Sequence, residues 1–240
     1  MKKERLRLKA MKRYLKQFPG VTGKLQDIVD LASQITGVPV AFITLLDSEI
    51  QWITVKHGYN VDQMPRVTSF CTHAIEQDDV MVVPDAVLDE RFKNNPLVNY
   101  PPSVRYYAGV SLKSSEGYNV GTLCVLDMQT HVLTSAHLES LKALSRQVTN
   151  IMELNLSIDQ LRESITQVEQ RNKALKKIAQ VQSHDIRGPL TSVLGVMSLM
   201  KEQDQSRYIE YFSHLETAVN SLDQKIRSIV DMSFTAHSQQ

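Results

Sequence analysis

Apolar residues recur every three or four positions from Lys24 to Thr36, at Leu25, Ile28, Val29, Leu31, Ala32 and Ile35, and Gly37 follows. That spacing predicts an amphipathic helix closed by a glycine cap. The period then changes. Val38 to Leu46 and Ile50 to Val55 are rich in β-branched and aromatic residues, with Asp47-Ser48-Glu49 between them, which predicts a β-hairpin. Ser69 to Glu76 reads as a short helix with a serine cap. Val80 to Val83 reads as a strand stopped by Pro84. Asp85 to Leu97 is polar and is expected to be a helical connection. Val104 to Leu112 and Val120 to Leu126 predict a second hairpin across Lys113 to Asn119, with Gly117 in the turn. A long helix is expected from near Ser135, through Leu138, Leu141, Leu144 and Val148. Such an order of elements predicts an α+β unit on an antiparallel sheet with helices.

Two helical stretches flank this unit. Residues 2–18 place Leu8, Met11, Leu15 and Phe18 at helical spacing among many lysines and arginines, ending before Pro19-Gly20. A basic amphipathic helix of this kind either lies on a membrane surface or packs on its own domain with a solvated basic face, and the modest apolar stripe favours packing. From Ile151 a seam begins. Ile151, Ile158, Ile165, Asn172 and Ala179 fall at a positions, and Leu154, Leu161, Val168 and Leu175 at d. Isoleucine at a with leucine at d favours a parallel two-stranded coiled coil, with Asn172 fixing register. After Lys201 and a polar break, Tyr208, Ile209, Phe212, Leu215, Val219, Leu222, Ile226, Ile229 and Val230 form a second stripe. Two antiparallel helices with one stripe each bury both only by pairing with a second copy, as a dimeric four-helix bundle. The domains expected are a basic N-terminal helix (1–22), a sensor domain (23–150), a coiled-coil signalling helix (151–178) and a dimerisation and phosphotransfer domain (179–240).

Composition narrows the classes. The 240 residues are 42% apolar and 22% charged, ordinary for a globular chain, and the net charge of +1 gives no electrostatic case for nucleic acid. No apolar run approaches the ~18–20 residues of a membrane helix, so no integral membrane segment and a cytoplasmic location are expected. The two cysteines, Cys71 and Cys124, give neither a disulfide framework nor zinc spacing, so free thiols are expected.

The central unit resembles a GAF domain. The resemblance is carried by Arg66, Ser69-Phe70-Cys71, His73-Ala74-Ile75 and Val83-Pro84-Asp85-Ala86. It continues through Asp89, Arg91-Phe92, Asn95-Pro96-Leu97-Val98, Arg105, Tyr107-Ala108-Gly109 and Gly121 to Asp127. It implies a sensor fold and leaves the ligand unknown, since such domains take cyclic nucleotides, tetrapyrroles or haem. A bilin thioether is disfavoured because Thr72 splits the Cys71 and His73 pair. Haem or metal through His73, His57 or His131 has no spacing support. Cys71 and His73 read first as packing residues. A small polar or anionic ligand near Cys71, His73 and Arg105 is the residual reading, with Arg66 and Arg91 as further charges unless loop carboxylates such as Asp85 or Asp89 hold them.

Ser183 to Leu190 reads Ser-His-Asp-Ile-Arg-Gly-Pro-Leu on the long helix. Neutral imidazole is a fair nucleophile, an adjacent acid can orient it or take its proton, and a guanidinium three residues on shares its helix face and suits phosphate. The octapeptide resembles the phosphoacceptor box of two-component sensor histidine kinases. That resemblance makes His184 the phosphoacceptor and Asp185 its acid/base partner, with Arg187 toward phosphate and Pro189 kinking the helix. Gly188 stands where many relatives have Thr or Asn, so no side chain is present there to position water for dephosphorylating a partner. The helical hairpin likewise resembles the histidine phosphotransfer domain of that family, of HisKA type.

These readings make the chain the sensory and phosphoacceptor part of a histidine kinase. Its expected partners are a second copy, the receiver domain of a response regulator and an ATP-binding kinase domain in cis or in trans. No cofactor is expected in the chain itself, ATP and magnesium belonging to the kinase domain, because no glycine-rich ATP-binding segment follows the hairpin. The competing reading is a non-catalytic dimeric adaptor that controls a separate kinase. A third, a reductase built on Cys71 and Cys124, finds no support in their spacing.

Overall fold

The computed structural model describes residues 2–200 and 208–237, leaving out the side chains of 177, 178, 180–185, 208 and 229–237. The chain divides into two compact units, Met1–Arg162 and Glu163–Gln240.

The first unit is built on a six-stranded sheet of order β3-β2-β1-β6-β5-β4. Its strands are β1 (Val40–Leu46), β2 (Ile50–His57), β3 (Gln63–Pro65), β4 (Met81–Val83), β5 (Tyr106–Lys113) and β6 (Asn119–Asp127). Every pairing is antiparallel. Both hairpins fall where the hydrophobic pattern predicts them. The first closes with the Asp47 amide donating to the Ile50 carbonyl, and the second turns at Gly117, whose φ of 83° lies in the region glycine enters freely.

Strands β1, β5 and β6 are buried on both faces, and the period-2 alternation separates two cores. Ala41, Ile43 and Leu45 of β1, Leu123 and Val125 of β6, and Tyr106, Ala108 and Val110 of β5 face the first core. The helices α1 (Lys2–Gln17) and α2 (Thr22–Thr36) cover this face, together with the start of α5 (Ser135–Met200). Gly37 ends α2 in the left-handed conformation, its amide bonded to the Ser33 carbonyl. The N-terminal helix is part of this unit. Arg7, Ala10, Met11 and Tyr14 are buried, and the Tyr14 hydroxyl donates to Glu153 on α5. Its apolar stripe is therefore spent within the domain, and apart from Arg7 the basic residues lie toward the outside.

Phe42 of β1, Cys124 of β6 and Tyr107 of β5 face the second core. There they meet the short helix α3 (Phe70–Ala74) and the connection leading to α4 (Pro96–Asn99). The expected helix over Asp85 to Leu97 is present only in its last two residues, which begin α4, and residues 85–95 are a series of turns. Asp85, Asp89 and Asn95 each accept from the backbone amide two residues on. Such local side-chain bonds offer the backbone an alternative to the helix, and three in thirteen residues win here.

In the second unit α5 runs on through Pro189 to Met200, and α6 spans Tyr208–His237. The hydroxyls of Thr191 and Ser192 bond the carbonyls of Arg187 and Gly188 four residues back, beside the proline that lacks an amide hydrogen. Among the described residues no helix is long and apolar enough to cross a membrane.

Candidate functional site

A cavity of about 150 Å³ opens in the second core. Phe42, Tyr107, Cys124 and Leu126 of the sheet form its floor, Ser69, Phe70 and Cys71 of α3 one wall, and Tyr59, Val61 and Met64 another. Leu97, Pro102, Val104 and Met128 complete it, and Gln51 supplies the one amide side chain in a largely apolar lining. An apolar hollow with a few fixed polar atoms is the usual form of a small-molecule site.

The polar atoms are held by the fold. Ser69 caps α3, its hydroxyl accepting from the Cys71 amide at 3.0 Å and donating to the Gln51 side chain. The Tyr107 ring stacks on Phe70, and its hydroxyl donates to the Cys71 sulfur at 3.3 Å. Gly109, two residues along the same face of β5, makes room for that ring, because a Cβ there would lie 2.2 Å from the Tyr107 hydroxyl. Burial pushes the Tyr107 phenol well above its usual range, so it stays a donor.

The structure brings Cys71 and Cys124 together although 53 residues separate them. Both are free and buried, with their sulfurs 3.8 Å apart. Burial opposes ionisation of Cys71, and hydrogen bonds from Cys124, Thr122 and Tyr107 outweigh it and hold that thiol below its ordinary value. The bond to Cys71, and then burial, pushes Cys124 well up. Linear spacing gives no hint of this pair. The signal that was present is the alternation of β6, which puts Cys124 on the face of Leu126, opposite Leu123 and Val125.

The charged candidates lie elsewhere. His73 packs edge-on against Phe92, with ring centroids 5.1 Å apart, and does not line the cavity. Arg105 forms two bonds to the Asp85 carboxylate, at 2.7 and 2.8 Å, and holds that carboxyl below its usual range. Arg91 pairs with Asp89 in the same way. Arg66 bonds Glu4 and the Asp47 carbonyl. These arginines secure loops and the N-terminal helix, and the cavity is left with no cationic side chain in its lining. Among the described residues no group of His, Cys, Asp and Glu is placed to hold a metal ion.

The second candidate site falls on α5. His184 and Asp185 are in helix, and their side chains lie outside the described residues. Arg187 is exposed and Pro189 buried. Gly188 and Pro189 border a groove of about 510 Å³ whose α6 side is formed by His214, Thr217, Ala218, Ser221 and Lys225.

Comparison with known proteins bears on the first unit. The family model for the GAF domain matches residues 23–152. A cyclic di-GMP phosphodiesterase of Pseudomonas aeruginosa is 40% identical over 110 residues, 46% of this chain and 19% of that protein. The chain thus spans about a fifth of the length of that relative. Two solved structures are similar at lower identity. A type II free methionine-R-sulfoxide reductase from Thermoplasma acidophilum aligns at 11% identity and a TM-score of 0.48, covering 57% of this chain and 94% of that one. The GAF domain of an Acinetobacter phosphoenolpyruvate-protein phosphotransferase aligns at 17% identity and 0.47, covering 65% and 98%.

Proposed function

Because the chain belongs to the GAF-domain family, we propose that it is the sensory and phosphoacceptor part of a two-component histidine kinase. The observation that carries this reading is the octapeptide Ser183 to Leu190 standing on the helix that leaves the GAF unit without a break. In this reading the cavity between α3 and the sheet takes a small, largely apolar signal molecule. Helix α5 carries the change toward His184, and two copies pair through the seam of α5 and through a four-helix bundle made with α6.

The chemistry follows from residue types. An imidazole nitrogen of His184 attacks the γ-phosphorus of ATP, and ADP leaves. Asp185 orients the ring and takes its proton, while Arg187 faces the transferred charge. ATP and magnesium are held by a kinase domain, in cis or in trans, and the phosphoryl group passes on to an aspartate of a response-regulator receiver domain. No membrane-spanning segment is needed for this work, and the cytoplasm is the proposed location.

The test is phosphohistidine formation. The chain is mixed with ATP, magnesium and a separately expressed histidine-kinase ATP domain, beside His184→Ala. Acid-labile phosphate is expected on the parent and none on the variant. Absence of label with several kinase domains, while the chain is dimeric, would overturn the acceptor role.

That outcome would leave the second reading, a non-catalytic dimeric GAF adaptor that controls a separate kinase. What supports it is that a segment 40% identical to this GAF unit occurs in a cyclic di-GMP phosphodiesterase, so such a unit is also joined to other outputs.

A further inference from the structure

We propose that Cys71 and Cys124 form a redox-active dithiol in the wall of the GAF cavity, closing to an intrachain disulfide on contact with a small hydroperoxide. The observations are geometric. The two sulfurs are 3.8 Å apart, one on a helix and one on the central strand β6. A disulfide brings sulfurs to about 2.0 Å, so closure needs them to approach by about 1.8 Å, within reach of side-chain torsions and a small shift of α3. Helix α3 has five residues and stands between the 3₁₀ helix Arg66–Thr68 and a turn at Ile75 and Glu76, so few hydrogen bonds of regular structure resist its shift.

Both cysteines line the cavity, so an oxidant that enters it meets both sulfurs without unfolding the domain. Its largely apolar lining and volume of about 150 Å³ suit a short alkyl hydroperoxide, and hydrogen peroxide is small enough to enter. Tyr107 donates its hydroxyl hydrogen to the Cys71 sulfur, which marks Cys71 as the sulfur that bears the developing negative charge. The hydrogen bonds that favour the Cys71 thiolate act in the same sense.

The step balances. The Cys71 thiolate attacks the terminal peroxide oxygen and the O–O bond breaks. The alkoxide takes a proton and leaves as alcohol (water, from hydrogen peroxide), and Cys71 becomes a sulfenic acid. The Cys124 sulfur then attacks the sulfenic sulfur. The S–S bond forms and the S–O bond breaks, and hydroxide leaves as water with the Cys124 proton. Two thiols lose two electrons, and the hydroperoxide gains them. A thiol reductant reverses the change by exchange at the disulfide.

This inference does not depend on the phosphoacceptor reading, because it concerns the GAF unit alone. It is tested on the full chain, whose only cysteines are these two, so thiol counting is unambiguous. The folded protein is treated with hydrogen peroxide or tert-butyl hydroperoxide. Remaining thiols are alkylated in denaturant and the intact mass is read. The expected result is loss of both alkylatable thiols, a mass about 2 Da below the reduced chain, no cross-linked dimer, and full recovery with dithiothreitol. Cys124→Ser is expected to stop at sulfenic acid on Cys71, captured by dimedone, and Cys71→Ser to react more slowly than the parent. Circular dichroism of each variant confirms that it is folded, and Cys124→Ala serves where the serine does not fold. Two free thiols after treatment of the folded parent, a disulfide formed only in denaturant, or a disulfide only between chains would each overturn the proposal.

Discussion

Arg7 of α1 donates to the Leu46 carbonyl at the end of β1 across 39 residues, at 2.7 Å. The same guanidinium holds Glu4 through two further bonds at 2.7 and 2.8 Å, and Arg66 reaches Glu4 from the loop after β3 at 2.9 Å. The Glu4 carboxylate thus clamps the N-terminal helix to the sheet, and it is held down from 4.5 to about 2, by the Arg7 bond first. A depressed carboxyl contributes stability that is complete above its unfolded value and lost as pH falls through the folded one. The parent is therefore expected to lose this contribution between about 4.5 and about 2. Glu4→Gln should destabilise the first unit by about 1 kcal/mol at neutral pH, since Arg7 is buried and loses its charge partner while solvent screens the half-exposed Glu4. Urea denaturation against pH checks it. Parent and variant should differ at neutral pH and converge toward pH about 2, and a difference constant over that range would remove Glu4 as the cause.

The Tyr107 ring depends on Gly109. A Cβ at 109 would meet the phenol oxygen at 2.2 Å and ring carbons at 2.6 and 2.9 Å, and the ring is stiff and packed on Phe70. Gly109→Ala should cost about 1–3 kcal/mol by overpacking. In a Tyr107→Leu background the same substitution should cost less, because the clashing ring is gone. A double-mutant cycle by denaturant unfolding measures that coupling, and strict additivity would show that the ring is not what the alanine meets.

The apolar seam of α5 is uncovered in the single chain. Leu161 and Leu175 are both 62% exposed, with Ile165 and Val168 between them half exposed. On the same helix Met152 and Leu156 are buried in the first core, so that core holds one side of the early turns and leaves Leu154 outward. If the seam pairs two copies, replacing Leu161 and Leu175 together by glutamate should convert a dimer to a monomer in sedimentation equilibrium. The melting of the first unit should be unchanged, since neither leucine is in its core. An unchanged mass, dimeric or monomeric in both proteins, would remove the seam as the dimer contact.

How much of this was legible in the sequence differs by element. The Gly37 helix stop, the two hairpins and the Ser69 cap follow from local rules, because each depends on residues within a few positions. The strand β3 did not announce itself, since Gln63–Pro65 is three residues long and pairs only at the sheet edge. The turns of Asp85 to Leu97 compete with a helix that the same polar residues also permit. At the cavity, Cys71 was legible as a site residue. Its partner Cys124 and the Gln51 amide were not, because their approach is set by sheet register. The arginines could be read either as ligand charges or as holders of carboxylates, and the distances to Asp85, Asp89 and Glu4 decide for the second role.

Ser69 makes the sharpest single test of the cavity wall. Its hydroxyl accepts from the Cys71 amide at the start of α3 and donates to Gln51, and both side chains are buried. Ser69→Ala removes a helix cap, worth about 1 kcal/mol, and leaves the Gln51 oxygen without that donor inside the protein, at about 1–3 kcal/mol more. Urea unfolding should therefore show a loss of about 2 kcal/mol or more. In a Gln51→Met background the orphaned acceptor is gone, and the same substitution should cost only about 1 kcal/mol, the cap alone. Equal losses in the two backgrounds would mean that Ser69 acts only as a cap and that Gln51 finds another partner. Unequal losses would establish that the serine fixes the amide which stands alone among the apolar residues around it.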